Sequence, residues 1–236
     1  IIIKINMSKS KKIKLSKSQR QQIEFSILAI ITMFSFFFWN SYLIYPIKIF
    51  VVLSHEISHG LATIFTGGKL QSILLTSTLG GASYTIGGNK FIIASAGYLG
   101  SLTFGAALFI SGYDSRIRKV VGIILTIILV LFAANFMSGS LGRIISVVFA
   151  LLFIILPFYT DELINSYFFK IFGLISIFYV VIDIKEDLFS DIYRPSDAQF
   201  ISEITSLPVM FWSIFWFLIS IAVIVYLVRW GIKKGI

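Results

Sequence analysis

The chain has 236 residues, of which 57% are hydrophobic and only 13% are charged. A soluble globular protein of this length could not cover that much apolar surface with so few charged side chains. The composition therefore indicates a polytopic membrane protein. The chain has no cysteine, which excludes disulfide bonds, thiolate metal ligands and a cysteine nucleophile. Most of the formal net charge of +9 lies in the basic stretch that ends at Arg20.

Residues 1–22 are predicted to form a basic cytosolic tail. Within it, Met7 has the pattern of a natural start codon, and residues 1–6 are predicted to be translated upstream sequence. By the positive-inside rule this tail should keep the N-terminus in the cytosol and touch anionic lipid. No aromatic residues interleave its lysines, so no nucleic-acid partner is expected. Residues 23–236 are predicted to form a single membrane-embedded domain. The frequent Ile, Lys, Phe and Asn suggest an A·T-rich bacterial genome, and hence a bacterial cell membrane.

Seven apolar segments follow in chain order, most of them near the ~20 residues that a helix needs to cross a bilayer. They cover residues 25–43, 45–65, 91–112, 120–137, 144–158, 167–182 and 210–230. The fifth is short and the turn before it is tight, so six and seven spans both remain open. The predicted fold class is therefore an all-α polytopic membrane protein with about six to seven transmembrane helices. With the N-terminus in the cytosol, Arg116, Arg118 and Lys119 fall in an outside loop, against the positive-inside rule.

A glycine-rich segment, TGGKLQSILLTSTLGGASYTIGGNK at residues 66–90, separates the second and third spans. Three Gly-Gly pairs divide short β-branched and polar runs, which is typical of a β-hairpin. A strand edge at membrane depth must be covered by protein or line a water-filled cavity. We expect a small hairpin against the helices at the cytosolic side, with an ordinary surface loop as the alternative.

The second span contains HEISHG at residues 55–60. His55 and His59 are four residues apart and share one helix face, where their imidazoles can hold one Zn²⁺. Glu56 points about a quarter-turn away and can take a proton from a water at the open metal position. A carboxylate and two imidazoles inside a span are costly unless they have a function. The pattern therefore predicts a metal site with His55 and His59 as ligands and Glu56 as the catalytic base.

A hydrolytic zinc site usually has three protein ligands, and the chain has only two histidines and no cysteine. The third ligand is therefore predicted to be a carboxylate. Asp183 directly follows the apolar run of the sixth segment and is the first choice because it lies deepest. Asp187, one turn further along the same face, is the second choice. Asp191 is better explained as part of a solvated helix extension.

Several of these motifs together resemble the site-2 protease type of intramembrane zinc metallopeptidase, and more narrowly its short M50B-like branch. The motifs are HEISHG at 55–60, TGG at 66–68, GGASYTIGG at 80–88, ASAGYLGS at 94–101 and DIKEDLFSDIYRPSDAQ, which contains the triplet Ser196-Asp197-Ala198. The resemblance covers about residues 39–215. It implies zinc held by His55, His59 and an aspartate of a later helix, with Glu56 as base. The Leu-Asp-Gly and Asn-Pro-Asp-Gly contexts of better-known members are absent, so Asp183 and Asp187 both remain open.

The predicted function is zinc-dependent hydrolysis of peptide bonds in membrane-anchored protein substrates, within a single membrane-embedded metalloprotease domain in contact with the lipid bilayer. A catalytically silent zinc-binding scaffold and a transporter are the alternatives, although no internal repeat or matched pair of broken helices supports a transporter. The small residues Gly97, Ser101 and Gly105 should let the third span pack closely on the zinc helix. Asn135 is a further candidate, either for steadying an oxyanion or as an ordinary helix-end polar residue.

Overall fold

The structure is a computed structural model that describes residues 16–189 and 196–234, without the side chains of residues 17 and 186–189. Eight helices and three short strands make up this part of the chain. In chain order they are α1 (Lys17–Phe37), α2 (Tyr45–Phe65), β1 (Lys69–Leu75), β2 (Gly81–Ile86), α3 (Lys90–Ser111), α4 (Ser115–Asn135), β3 (Met137–Ser138), α5 (Ser140–Tyr159), α6 (Glu162–Phe189), α7 (Asp197–Thr205) and α8 (Val209–Lys234).

Among the described helices, six are long and apolar enough to cross a membrane, namely α2, α3, α4, α5, α6 and α8. This confirms the predicted all-α polytopic membrane fold. The sequence left six and seven spans open, and the described helices include six candidate spans. The fifth predicted segment is not short in the structure, because α5 is 20 residues long. Local signals fix several helix starts: the side chains of Asn89 and Asp114 cap α3 and α4 by accepting backbone N–H groups.

The first predicted span, residues 25–43, differs from the structure. Helix α1 ends at Phe37, and turns occupy residues 38–44. Helix α1 is not among the six candidate spans, because Arg20, Glu24 and several glutamines make its first half polar. Trp39, an aromatic residue within the predicted span, packs against another helix. Its ring stacks on Tyr179 of α6, with ring centroids 5.6 Å apart.

The predicted hairpin is present. Strands β1 and β2 pair antiparallel, with Lys69 opposite Ile86 at the base and Leu75 opposite Gly81 near the turn. The short strand β3 adds to the other side of β1 in parallel, so the sheet order is β2-β1-β3. The Tyr45 hydroxyl donates to the Ser77 carbonyl at 2.9 Å, which fixes the hairpin turn against the start of α2.

The bundle has two distinct ends. At the terminal end lie the start of α1, the end of α3, the starts of α4 and α6, and the end of α8. Gln21 donates to the Lys233 carbonyl at 3.2 Å, and Lys170 contacts both Glu24 and Gly112. At the hairpin end lie the base of the hairpin, the start of α3, the end of α6, α7 and the start of α8.

The sequence predicts that the N-terminus and the hairpin both lie on the cytosolic side. The start of α1 and the base of the hairpin lie at opposite ends of α3, a helix of 22 residues that is about 33 Å long. The cytosolic position of each stays a prediction. The Asn89 backbone N–H donates to Thr66 Oγ1 at 3.0 Å, which ties the end of α2 to the start of α3 at the hairpin end.

Helix α3 lies between α2 and α6 and packs closely on both. The Gly100 backbone lies directly against the Ser58 side chain of α2, and Gly105 lies against Ile177 of α6. The predicted close packing of the third span on the histidine helix is therefore confirmed. Without side chains at these crossings, the two neighbouring helices can approach the α3 backbone, which draws the histidines and the end of α6 towards one point.

Candidate metal centre

The two histidines of α2 point their Nε2 atoms at one carboxylate oxygen. The His55 and His59 rings lie 4.8 Å apart between centroids, one helical turn apart on the same face. His55 Nε2 is 3.1 Å from Asp197 Oδ2, and His59 Nε2 is 3.3 Å from the same atom. One ligand atom from each of the three residues lies within 4.8 Å of the others.

Asp197 reaches this position because it is the first residue of α7. Ser196 caps the helix by accepting the Gln199 backbone N–H at 3.3 Å, while Ala198 and Ile201 are buried beneath it. Burial alone would raise the pKa of the Asp197 carboxyl, but positive charge on the neighbouring imidazoles of His59 and His55 holds that pKa well below its usual range.

Two of the three ligand–ligand distances are compatible with a tetrahedral metal ion such as zinc. Two ligand atoms at about 2.0–2.1 Å from one tetrahedral zinc lie about 3.3–3.4 Å apart. The two Nε2–Oδ2 distances of 3.1 and 3.3 Å are close to that value. Asp197 Oδ2 is buried without a hydrogen-bond donor in the described part of the chain, which is expensive for a carboxylate oxygen unless a cation shares it. Two imidazoles and one carboxylate are also a usual donor set for catalytic zinc.

The other ring nitrogen of each histidine faces away from this point. His59 Nδ1 is 2.7 Å from the Ile93 carbonyl of α3, so Nδ1 carries the proton and Nε2 keeps a free lone pair. His55 Nδ1 is buried, and Asp183 Oδ2 lies 4.0 Å from it. The Tyr98 ring packs edge-on against His55, with centroids 5.3 Å apart.

The structure places Asp183 beside the site but not in the His–His–Asp group. Its carboxylate approaches the Nδ1 side of His55, whereas the two Nε2 atoms face Asp197. The sequence favoured Asp183 because it lies deepest in a predicted span. Which side of the His55 imidazole a carboxylate reaches, however, depends on how α6 and α7 pack. The side chain of Asp187 and the whole of Asp191 lie outside the described residues.

Glu56 lies on the hairpin side of α2. Its side chain is buried, and the Ser83 hydroxyl of β2 donates to Glu56 Oε2, with 2.7 Å between the two oxygens. The same hydroxyl is 3.0 Å from the Glu56 backbone carbonyl. Gly81 lies so close to the Glu56 side chain that a Cβ there would overlap it. Strand β2 therefore orients this carboxylate and covers it.

A glycine of α3 makes room for the metal-binding atoms. A Cβ at Gly97 would overlap Asp197 Oδ2 and the His55 imidazole. The backbone of α3 thus forms one wall of the group. The sequence marked Gly97 only as part of a small-residue stripe, and the structure gives it this more specific contact.

The sequence did not single out Asp197 as a candidate ligand, whereas for Asn135 it favoured an ordinary helix-end residue over an oxyanion group. The triplet Ser196-Asp197-Ala198, one of the motifs that resemble the family, carries the signal for Asp197. Asn135 is exposed, and its amide donates to the Leu131 carbonyl of its own helix at 2.8 Å. This is the ordinary helix-end contact that the sequence favoured.

The fold and the site together define a multi-pass membrane protein with a partly buried His–His–Asp group that can hold a metal ion. A family model described as Peptidase M50B-like matches residues 27–227. The match covers most of the chain, so the protein belongs to the Peptidase M50B-like family, as the resemblance predicted, and this family implies a protease. Comparison with curated proteins and with solved structures gave no match.

Proposed function

We propose that this protein is an intramembrane zinc-dependent endopeptidase that hydrolyses peptide bonds of membrane-anchored protein substrates. The observation that carries the proposal is the convergence of His55 Nε2 and His59 Nε2 on Asp197 Oδ2, at 3.1 and 3.3 Å, inside the helical bundle. Family membership supports the protease assignment. Zinc and endopeptidase activity are the steps that go beyond it.

His55, His59 and Asp197 are the proposed ligands, and Asp183 is proposed to orient His55 from the Nδ1 side. When bound, a zinc ion supplies Lewis-acid chemistry: it polarises a carbonyl and lowers the pKa of a water molecule towards ~7. The Ile93 carbonyl holds the His59 tautomer in which Nε2 faces the metal. The Gly97 backbone leaves the space that the ion needs.

Glu56 is the proposed general base. Its carboxylate takes a proton from the attacking water and passes that proton to the nitrogen of the leaving amine. The Ser83 hydroxyl holds Oε2 at 2.7 Å and leaves Oε1 to accept the proton. Because Glu56 is buried under the hairpin, few water molecules compete with the substrate at this carboxylate.

The substrate is proposed to bind as an added strand on the hairpin. Strand β2 is at an edge of the three-stranded sheet, and its residue Ser83 contacts Glu56. An extended substrate segment on this edge would gain main-chain hydrogen bonds with little demand on its sequence. The same contact would bring its backbone next to the proposed base.

The test is Glu56→Gln, which keeps the size of the side chain and can still accept the Ser83 hydrogen bond but cannot take up the proton. The purified variant should retain stoichiometric zinc and lose ~10²–10⁴ in the rate of cleavage of a transmembrane reporter. Glu203→Gln is the matched control, because Glu203 is exposed on α7. That control should cleave at the wild-type rate.

Two results would count against the proposal in different ways. A Glu56→Gln variant that binds zinc and cleaves at near wild-type rate would refute the role of Glu56. A wild-type protein that binds zinc stoichiometrically and cleaves no membrane-anchored reporter would support the catalytically silent zinc-binding scaffold instead.

A further inference from the structure

A groove runs along α1, between this helix and the rest of the bundle. Its volume is about 320 Å³, and residues of α1 from Gln21 to Phe36 line one wall, a length of about 22 Å along the helix axis. The other walls come from α3, α6 and α8 and include Phe109, Leu174 and Val228. Along most of its length, this α1 groove is lined by apolar side chains and one threonine.

Polar residues close the α1 groove at the terminal end of the bundle. They are Gln21, Glu24 and Tyr113. The Glu24 carboxylate is already paired, because it lies 2.6 Å from Lys170 Nζ and forms a hydrogen bond with the Tyr113 hydroxyl. The Gln21 amide donates to the Lys233 carbonyl at 3.2 Å. Among the described residues that line the groove, no charge is left unpaired, so a charged ligand group has to bind at the rim.

The rim at this end of the groove is positively charged. Arg20 near the start of α1 and Lys233 and Lys234 at the end of α8 are exposed, and the hydrogen bond from Gln21 to the Lys233 carbonyl joins the two helix ends. Lys234 lies near Asp114, whose negative charge offsets its own. Arg20 and Lys233 make no ion pair within the described part of the chain. Two cations are therefore available to an anionic group at the mouth of the groove.

The size of the α1 groove excludes a helix and suits one hydrocarbon chain. A volume of about 320 Å³ over about 22 Å corresponds to a mean cross-section of about 15 Å², whereas a helix about 10–12 Å wide has a cross-section of about 80–110 Å². One leaflet contributes about 15 Å of hydrocarbon, so a lipid chain that enters at the terminal end can follow the groove through its whole leaflet. Phe25 and Met33 are exposed at its edge, which leaves the groove open to the surrounding lipid.

We infer that the α1 groove binds an anionic phospholipid, with one acyl chain lying along α1 and the phosphate between Arg20 and Lys233. The chain itself supplies little affinity, since a lipid tail is as apolar as the groove walls. The preference comes from charge: one lysine or arginine near an anionic lipid raises its affinity about fivefold, so two give about 25-fold over a zwitterionic lipid. None of the lining residues belongs to the metal centre, so the inference does not depend on the proposed protease.

The test uses the full chain in phosphatidylcholine vesicles that contain phosphatidylglycerol with a photoactivatable diazirine on one acyl chain. The diazirine is placed either next to the glycerol or at the end of the chain. After illumination, the cross-linked residues are located by peptide mass spectrometry. The glycerol-side probe should mark the groove near Gln21 and Phe25, and the chain-end probe should mark it near Met33 and Phe36.

A variant that fills the groove tests its walls. Ala29 lines the groove from an exposed position on α1, so Ala29→Phe should remove most of the cross-linking there without disturbing the core. Ala222→Phe is the matched control, because Ala222 is exposed on α8 outside the groove. That control should cross-link like the wild type. Thermal unfolding of both variants checks that each is folded.

A second variant tests the charged rim. Arg20→Gln combined with Lys233→Gln should raise the fraction of phosphatidylglycerol needed for half-maximal cross-linking about 25-fold. The matched control is Lys69→Gln combined with Lys90→Gln, which removes two exposed cations from the hairpin end. It should leave that fraction unchanged.

Three results would overturn the inference. Cross-links spread as densely over α4 and α5 as over the groove would mean that the protein has only a general lipid shell. Equal cross-linking by a phosphatidylcholine probe, or by the Arg20 and Lys233 double variant, would refute the anionic headgroup. Full cross-linking in a folded Ala29→Phe variant would refute the position of the chain. None of these outcomes requires zinc or cleavage, so failure of the lipid site and failure of the proposed protease remain distinguishable.

Discussion

Replacement of Asp197 by alanine is expected to abolish stoichiometric zinc binding, whereas replacement of Asp183 should only weaken it. Asp197 Oδ2 lies 3.1 and 3.3 Å from the two Nε2 atoms, so its loss leaves a metal ion with two imidazoles. Asp183 Oδ2 is 4.0 Å from His55 Nδ1, on the side of the ring that faces away from Asp197.

The size of the difference follows from these two positions. Loss of a group that orients a metal-binding histidine typically costs about 10–100-fold in metal affinity, which corresponds to about 1.4–2.8 kcal/mol. Loss of one of three direct ligands should exceed the upper end of that range. Asp197→Ala should therefore bind zinc more than about 100-fold more weakly than the wild type, and Asp183→Ala within about 100-fold of it.

The measurement is a zinc titration of the detergent-purified full chain against a competing chelator, with bound metal counted after dialysis. Glu203→Ala serves as the control, because it removes an exposed carboxylate from the same helix as Asp197. A larger loss of affinity for Asp183→Ala than for Asp197→Ala would refute the ligand assignment and return Asp183 to that role. Asp187→Ala belongs in the same series, since the sequence names Asp187 as the second choice.

Three further outcomes are expected. Ser83→Ala should lower the turnover of a transmembrane reporter about tenfold, consistent with the loss of one hydrogen bond to a charged group, and leave the zinc content unchanged; unchanged turnover would mean that Ser83 does not orient Glu56. Gly97→Ala should reduce bound zinc in metal analysis, because its methyl group overlaps the metal-binding atoms; full zinc occupancy would contradict this. Lys170→Met leaves the Glu24 carboxylate buried alone and should destabilise the protein by about 3–5 kcal/mol in thermal unfolding, and adding Glu24→Gln should restore much of that loss; if the single variant melts like the wild type, the pair contributes little.

The parts of the site that could be predicted from sequence are those encoded within one helix or one turn. His55 and His59 share a face because of the helical repeat, and Glu56 follows from its place between them. The Gly-Gly pairs around β1 and β2 likewise predicted the hairpin, since glycine turn chemistry acts over only a few residues. Apolar runs of membrane length located all six spanning helices, but α4, α5 and α6 begin four or five residues before the apolar runs do.

Longer-range features could not be predicted in the same way. The choice between Asp183 and Asp197 depends on which nitrogen of His55 each carboxylate reaches, and that depends on how α6 and α7 pack against α2 and α3. The apolar second half of α1 predicts a membrane span. Its first half, however, contains Glu24, which is buried in an ion pair with Lys170 of α6, a residue distant in sequence.

The sequence by itself determined the membrane class, the histidine pair, the base candidate and the hairpin, because periodicity, apolar length and turn residues act over short stretches of chain. Only the tertiary structure decided that Asp197 joins the two histidines, that Ser83 holds Glu56, and that the start of α1 and the base of the hairpin lie at opposite ends of α3. These facts depend on contacts between helices distant in sequence. The small residues of α3 allow such contacts, but no local pattern specifies them.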